Sequence, residues 1–189
     1  MHPVRAYIHQ YQSLQNEEWE EILPCLERKE YPANHTLLRE GQICEKLYFL
    51  EEGLIRFYTL RDGNDISKFF TLPFYCFTSQ KSLSKQIPSR EHIETLEPSI
   101  LWEMDEKNAF GLLRLKNWNT FVRMLIQEVQ DGTEEILEEL QIETAESRYI
   151  RMLEEEPALI RRVPLKHLAS YLGIAPQSLS RIRRKLLNA

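Results

Sequence analysis

Glycine and cysteine are scarce in this chain, with six and three in 189 residues, and each shortage removes a class of function. No Gly-rich phosphate loop, nucleophile elbow or zinc motif appears. Cys25, Cys44 and Cys76 are odd in number, widely spaced and without a Cys-x-x-Cys pair. A structural zinc site or disulfide framework is therefore not expected; core positions in a protein of the reducing cytoplasm are. His2, His9, His35, His92 and His167 show no metal-ligand spacing, so no metal is expected. Long apolar runs are missing too, which excludes a membrane span, and residues 1–7 lack the apolar core of a secretory signal. Paired glutamates are common, but they fall on helix faces where solvation explains them, and an enzyme is not expected. Positive charge is also short: the net charge is −5, which taken alone argues against a nucleic-acid partner.

What is present points the other way. Apolar residues make up 42% and charged residues 28%, the balance of a globular protein. The charge is unevenly placed: residues 161–189 carry seven Lys/Arg and no Asp or Glu, while the other 160 residues carry 17 basic and 29 acidic side chains. Such asymmetry fits a polyanion on one small segment, although charge alone fits a solvated basic face equally well.

Helical spacing of Leu14, Trp19, Ile22, Leu23 and Leu26 predicts a helix over 13–27, capped by Ser13 or Asn16 and ended by Pro32. From Thr36 the pattern shifts to short aromatic and β-branched pieces, 36–40, 46–51, 54–61 and 66–72, then 91–97 and 99–104 around Pro98. Gly41, Gly53 and Gly63 sit at the joints. The polar stretch from Thr78 to Arg90 reads as a surface loop. Strands at this spacing predict a small antiparallel β-roll or jelly roll.

From Asn117 to Gln141 apolar positions recur in steps of three and four: Trp118, Phe121, Val122, Leu125, Val129, Gly132, Ile136 and Leu140. A helix of that extent, about 36 Å at 1.5 Å per residue, is too long for a small roll to cover. Part of its seam is expected to meet a second copy, with packing inside one subunit as the alternative. A further helix is predicted from Thr144 to Glu155, stopped by Pro157.

The segment 163–187 has the pattern of a helix-turn-helix. Leu165, Leu168, Ala169 and Leu172 form one face, Gly173 supplies a left-handed stop, and Ile174 plugs the joint. Pro176 opens a second helix that buries Leu179, Ile182 and Leu186. Gln177, Ser178, Ser180, Arg181, Arg183, Arg184 and Lys185 are the DNA-binding candidates: Arg181 for guanine, Gln177 and Ser180 for neighbouring base or phosphate contacts, and the last three for phosphate charge. An ordinary helical hairpin is the competing reading, and it leaves the basic character of the segment unexplained.

The order strand-rich domain, long helix, helix-turn-helix resembles the Crp/Fnr regulators over residues 10–187. Residues 38–53, with Gly41 and Gly53, look like that family's cyclic-nucleotide-binding fold, and 146–153 resembles its link to the DNA-binding domain. Gln177-Ser-Leu-Ser180-Arg181 matches the family's Glu-x-x-Ser-Arg reading motif except for Gln177. The resemblance implies an α+β protein with a sensor domain at 1–116, a dimerisation helix at 117–141 and a helix-turn-helix domain at 142–189 in which the usual wing hairpin is missing. It implies a cytoplasmic homodimer on inverted-repeat double-stranded DNA, with RNA polymerase as a further partner. Where the family's cyclic-AMP binders carry Gly-Glu and Arg-Ser, this chain reads Thr78-Ser79-Gln80 and Ser89-Arg90. Weak or no binding of cyclic AMP is therefore expected, and Thr78, Ser79, Ser89 and Arg90 remain as candidates to cradle the anion of another small-molecule effector. The cysteines of the family's iron–sulfur branch are absent. The alternative function is a ligand-sensing or protein-interaction module with a vestigial helix-turn-helix.

Overall fold

The computed structural model describes residues 1–187. Helices α1 (Pro3–Ile8) and α2 (Asn16–Ile22) precede the strands β1 (Glu27–Tyr31), β2 (Thr36–Leu38), β3 (Lys46–Glu52), β4 (Ile55–Arg61), β5 (Asn64–Thr71) and β6 (Tyr75–Phe77). A short helix α3 (Gln80–Lys85) leads to β7 (His92–Thr95) and β8 (Ser99–Asp105). Then come α4 (Glu106–Gly111), the long α5 (Lys116–Ile142), α6 (Ala145–Glu155), α7 (Pro157–Arg162), α8 (Leu165–Leu172) and α9 (Pro176–Leu187).

Two antiparallel four-stranded sheets, in the orders β1-β8-β3-β6 and β2-β7-β4-β5, make the expected roll. Alternate residues of both sheets fill its interior: Leu38, Tyr48, Leu50, Ile55, Phe57, Phe77, Ile93 and Leu101 are buried together. Tyr48 stacks on Phe77 with centroids 5.1 Å apart, and Phe57 meets the edges of Phe69 and Phe77. Gly53, at φ +110°, turns β3 into β4 where a Cβ would lie 2.8 Å from the Ser99 backbone, so no other residue fits there without displacing β8.

Three expectations need correction. The predicted helix over 13–27 ends at Ile22, continues as a 3-10 turn over Leu23–Cys25, and gives way to a strand at Glu27. Four of the five residues of that strand are charged; pairing of its backbone with β8 makes it a strand, and no hydrophobic alternation marks an edge with so little buried. Cys25 is accordingly half-buried, whereas Cys44 and Cys76 are core residues as expected. Helix α6 ends at Glu155 as expected, and Pro157 also opens α7 as its first residue, where a missing N–H costs nothing. Lastly, the stretch 78–90 is not a surface loop: α3 lies within it, and Ser79, Ser82, Leu83 and Ser89 are buried.

The long helix divides in two. Trp118 and Phe121 are fully buried among Val4, Tyr7, Ile8, Phe49 and Met104, with Val122 and Leu125 packed against that cluster. Beyond this point α5 leaves the roll, and Ile126, Val129, Leu137 and Leu140 stand 37–54% exposed. At 27 residues the helix is about 40 Å long. Among the described residues no helix is long and apolar enough to cross a membrane.

Candidate functional site

The helix-turn-helix forms as its residue types dictate. Leu168, Ala169, Leu172 and Leu179 are buried in one cluster with Tyr149, Leu159, Ile160 and Val163. The absence of a side chain beyond Cβ at Ala169 lets α9 cross close to α8. Gly173 takes φ +72°, and the Ile174 N–H then donates to the Ala169 carbonyl at 3.0 Å, closing α8 in the manner of a left-handed cap. Pro176 begins α9.

This packing sorts the seven DNA-binding candidates. Gln177, Ser180, Arg181, Arg184 and Lys185 are exposed, and Ser178 and Arg183 are half-buried. The Ser180 hydroxyl donates back to the Pro176 carbonyl at 3.0 Å. Arg183 lies over the Tyr149 ring, 5.6 Å from its centroid, and Lys185 donates to Glu146 at 2.6 Å. Both therefore hold α9 to α6. Arg181 and Arg184 make no ion pair among the described residues and face solvent.

A second feature, with no counterpart in the sequence pattern, is how the helix-turn-helix meets the roll. The outer face of β4 and β5 carries Arg56, Ser67 and Phe70, and α8 lies against β5. Ser170 donates to the Asp65 carbonyl at 2.7 Å and accepts from the Ser67 N–H at 2.9 Å, so it completes the hydrogen bonding of an edge strand. Arg56, 1% exposed, donates to Glu94 at 2.8 Å and to Ser67 at 2.9 Å, pairs with Asp65, and covers the Tyr58 ring. His167 faces this group; burial, then Arg56 and Lys166, lower its pKa to about 4. Arg162 on α7 grips Glu97 through Nε and Nη2 and also donates to the Gly53 carbonyl at 2.7 Å. Leu54 and Phe70 of the roll share the apolar cluster of the helix-turn-helix. No sequence signal marks the polar pairs that join α7 and α8 to the roll, because their members lie 65 to 109 positions apart.

The structure scatters the four effector candidates. Ser79 and Ser89 are buried with hydroxyl oxygens 3.2 Å apart. Thr78 turns away to the Lys46 carbonyl and the Cys44 sulfur, and Arg90 is exposed to solvent. Glu91, which is not among the four, takes the place beside the serines instead: Ser79 donates to its carboxylate at 2.9 Å. Alternation along an extended segment is the signal that points to it, since Ser89 and Glu91 share a face and Arg90 takes the other. Among the described residues no three His, Cys, Asp or Glu lie close enough to hold a metal.

Comparison with known proteins agrees with this architecture. Residues 28–115 match the cyclic nucleotide-binding domain family. No curated protein matches the chain in sequence. A crp/fnr-family regulator structure from Eubacterium rectale is 16% identical, with a TM-score of 0.73 over 92% of this chain and 84% of that one. The c-di-GMP responsive regulator CLP of Xanthomonas campestris is 16% identical, TM-score 0.69, over 92% of both chains. The catabolite activator protein of Thermus thermophilus is 20% identical, TM-score 0.58, over 93% of this chain and 84% of that chain. At these identities the likeness is one of fold. The chain carries the Crp/Fnr fold, with a cyclic nucleotide-binding-type domain followed by the long helix and the C-terminal helices.

Proposed function

We propose that this chain is a DNA-binding transcription regulator of the Crp/Fnr type, acting as a homodimer on an inverted-repeat site. One observation carries the reading: the outward face of α9 presents Gln177, Arg181 and Arg184 to solvent, on a segment without acidic residues. An arginine there reaches guanine O6 and N7 in a major groove, and a glutamine amide reaches adenine. The exposed apolar residues of the far half of α5 support pairing with a second copy, which sets two recognition helices about 34 Å apart. RNA polymerase is a further partner in this reading. The sensor's interior is filled by aromatic side chains, and Arg90 faces solvent; both support weak or no binding of cyclic AMP.

Titration of fluorescent duplexes selected from a random pool tests the reading. Arg181→Ala should cost about 1–3 kcal/mol on the selected site and relax preference at one base pair per half-site. Arg184→Ala, at a solvent-facing position without an ion pair among the described residues, should weaken all duplexes alike and lower the dependence on salt, whose slope is roughly 0.9 per neutralised phosphate. Equal weakening of every duplex by Arg181→Ala would remove the base-reading role from that residue.

A further inference from the structure

The polar notch between α3 and β7 has a constituent that the reading above does not use. Ser79 and Ser89, 4% and 3% exposed, bring their hydroxyl oxygens within 3.2 Å of each other, and the Ser79 hydroxyl points at the Glu91 carboxylate. Its Oε1 accepts from Ser79 at 2.9 Å and its Oε2 from the Lys68 ammonium at 2.7 Å. The Ser89 hydroxyl fastens the Glu91 backbone, donating to its carbonyl at 2.8 Å and accepting from its N–H at 3.1 Å. Ser89 is itself fixed by the turn after β2: its N–H donates to the Gln42 carbonyl at 2.7 Å and its carbonyl accepts from the Gly41 N–H at 2.9 Å.

We propose that Glu91 is a tethered occupant of this notch, a built-in carboxylate that fills the place where the sensor would otherwise take a small oxyanion such as a phosphate group. The inference rests on the sensor reading given above. Both carboxylate oxygens are engaged from inside the chain. Taking that carboxylate away leaves the Ser79 hydroxyl with Ser89 as its remaining neighbour and the Lys68 ammonium turned to water, and two donors converging on one position suit an oxyanion. A buried donor that loses its partner costs more than a paired one gains; Lys68 is half exposed and the Ser79 hydroxyl has Ser89 Oγ 3.2 Å away, so an anion in the notch stabilises it modestly. The tether supplies that anion at all times, and the folded sensor needs no bound effector to complete it. Lys68 also neighbours Ser67, whose N–H holds Ser170 of α8, so the filled notch braces the strand on which the DNA-binding end rests.

Chemical rescue tests this. Full-length wild type, Glu91→Ala and Glu91→Gln are melted in chloride, in formate and in inorganic phosphate at equal ionic strength. Glu91→Ala should melt about 4 °C lower in chloride and regain about half of the loss in formate, which restores the missing carboxylate. Glu91→Gln fills the space with an amide and should show no such recovery, and wild type should be indifferent to formate and phosphate. Two results overturn the proposal: a Glu91→Ala variant that responds to formate no more than to chloride, or a wild type stabilised by phosphate as strongly as that variant. If Glu91→Ala does not fold in chloride, folding in formate supports the proposal and failure in both overturns it. Duplex binding is measured on the same proteins. A rescued variant beside a wild type without DNA affinity sinks the regulator reading and leaves the tethered occupant; DNA binding beside an unrescued variant does the reverse.

Discussion

Removing the Arg162 side chain tests whether the C-terminal helices and the roll unfold as one body. Its guanidinium makes three N–H contacts with the Glu97 carboxylate, two at 3.2 Å from Nε and one at 2.6 Å from Nη2, and a fourth at 2.7 Å with the Gly53 carbonyl. Charge-assisted bonds contribute about 1.5–3 kcal/mol when desolvated. Here the two side chains are 31% and 33% exposed, so water screens the pair and about 1–1.5 kcal/mol of coupling is the expected remainder. Loss of the Gly53 bond brings Arg162→Ala to about 2 kcal/mol, or roughly 1 M in the urea midpoint. The assay is a double-mutant cycle of Arg162→Ala and Glu97→Ala followed by urea unfolding, with tryptophan fluorescence reporting on the roll and circular dichroism on the helices. Two outcomes refute the reasoning: single-variant losses that add within about 0.3 kcal/mol, which means no coupling, or separate wild-type transitions by the two probes, which means the ends do not share a fold.

Two further outcomes follow from burial. Val129→Glu with Leu137→Glu, at positions 37% and 54% exposed, should leave the folded subunit's circular dichroism nearly unchanged and convert the protein to a monomer in sedimentation; a wild type already monomeric at micromolar concentration would contradict the dimer. Leu125, by contrast, packs on the roll, so Leu125→Glu is expected to lower stability as well. His167 is held neutral in the folded state down to a pKa of about 4, against an ordinary value near 6.5. The unfolded chain therefore binds the extra proton between those values, and stability should fall as pH drops from 6.5 to 4, by about 3 kcal/mol at most. His167→Leu should remove that part of the slope in urea midpoints at pH 7, 6 and 5, and an unchanged slope would dismiss the assignment.

Local pattern alone determined several parts of this protein. Gly173, Ala169 and the apolar steps from Leu165 to Leu186 specify two helices and their joint, because a left-handed stop and a small crossing residue leave few other conformations. Steps of three and four from Trp118 onward specify the long helix for the same reason. The roll was legible in its aromatic and β-branched strands but not in β1, whose charged residues become a strand only when β8 supplies the hydrogen bonds. Tertiary structure decided the rest. Whether a basic residue of α9 faces solvent or a neighbouring helix is settled by Tyr149 and Glu146, more than thirty positions away. The burial of Arg56 and the grip of Arg162 on Glu97 arise because the helix-turn-helix lies on β5, a placement that no periodicity encodes. In the roll, the sequence pattern offered Thr78, Ser79, Ser89 and Arg90 as candidates for one anion, and the alternation of an extended chain turned Arg90 outward and Glu91 inward. Periodicity acts over a few residues and reads directly from the chain; contact partners depend on the packing of distant surfaces, and that is where the polar groups of this protein find their counterparts.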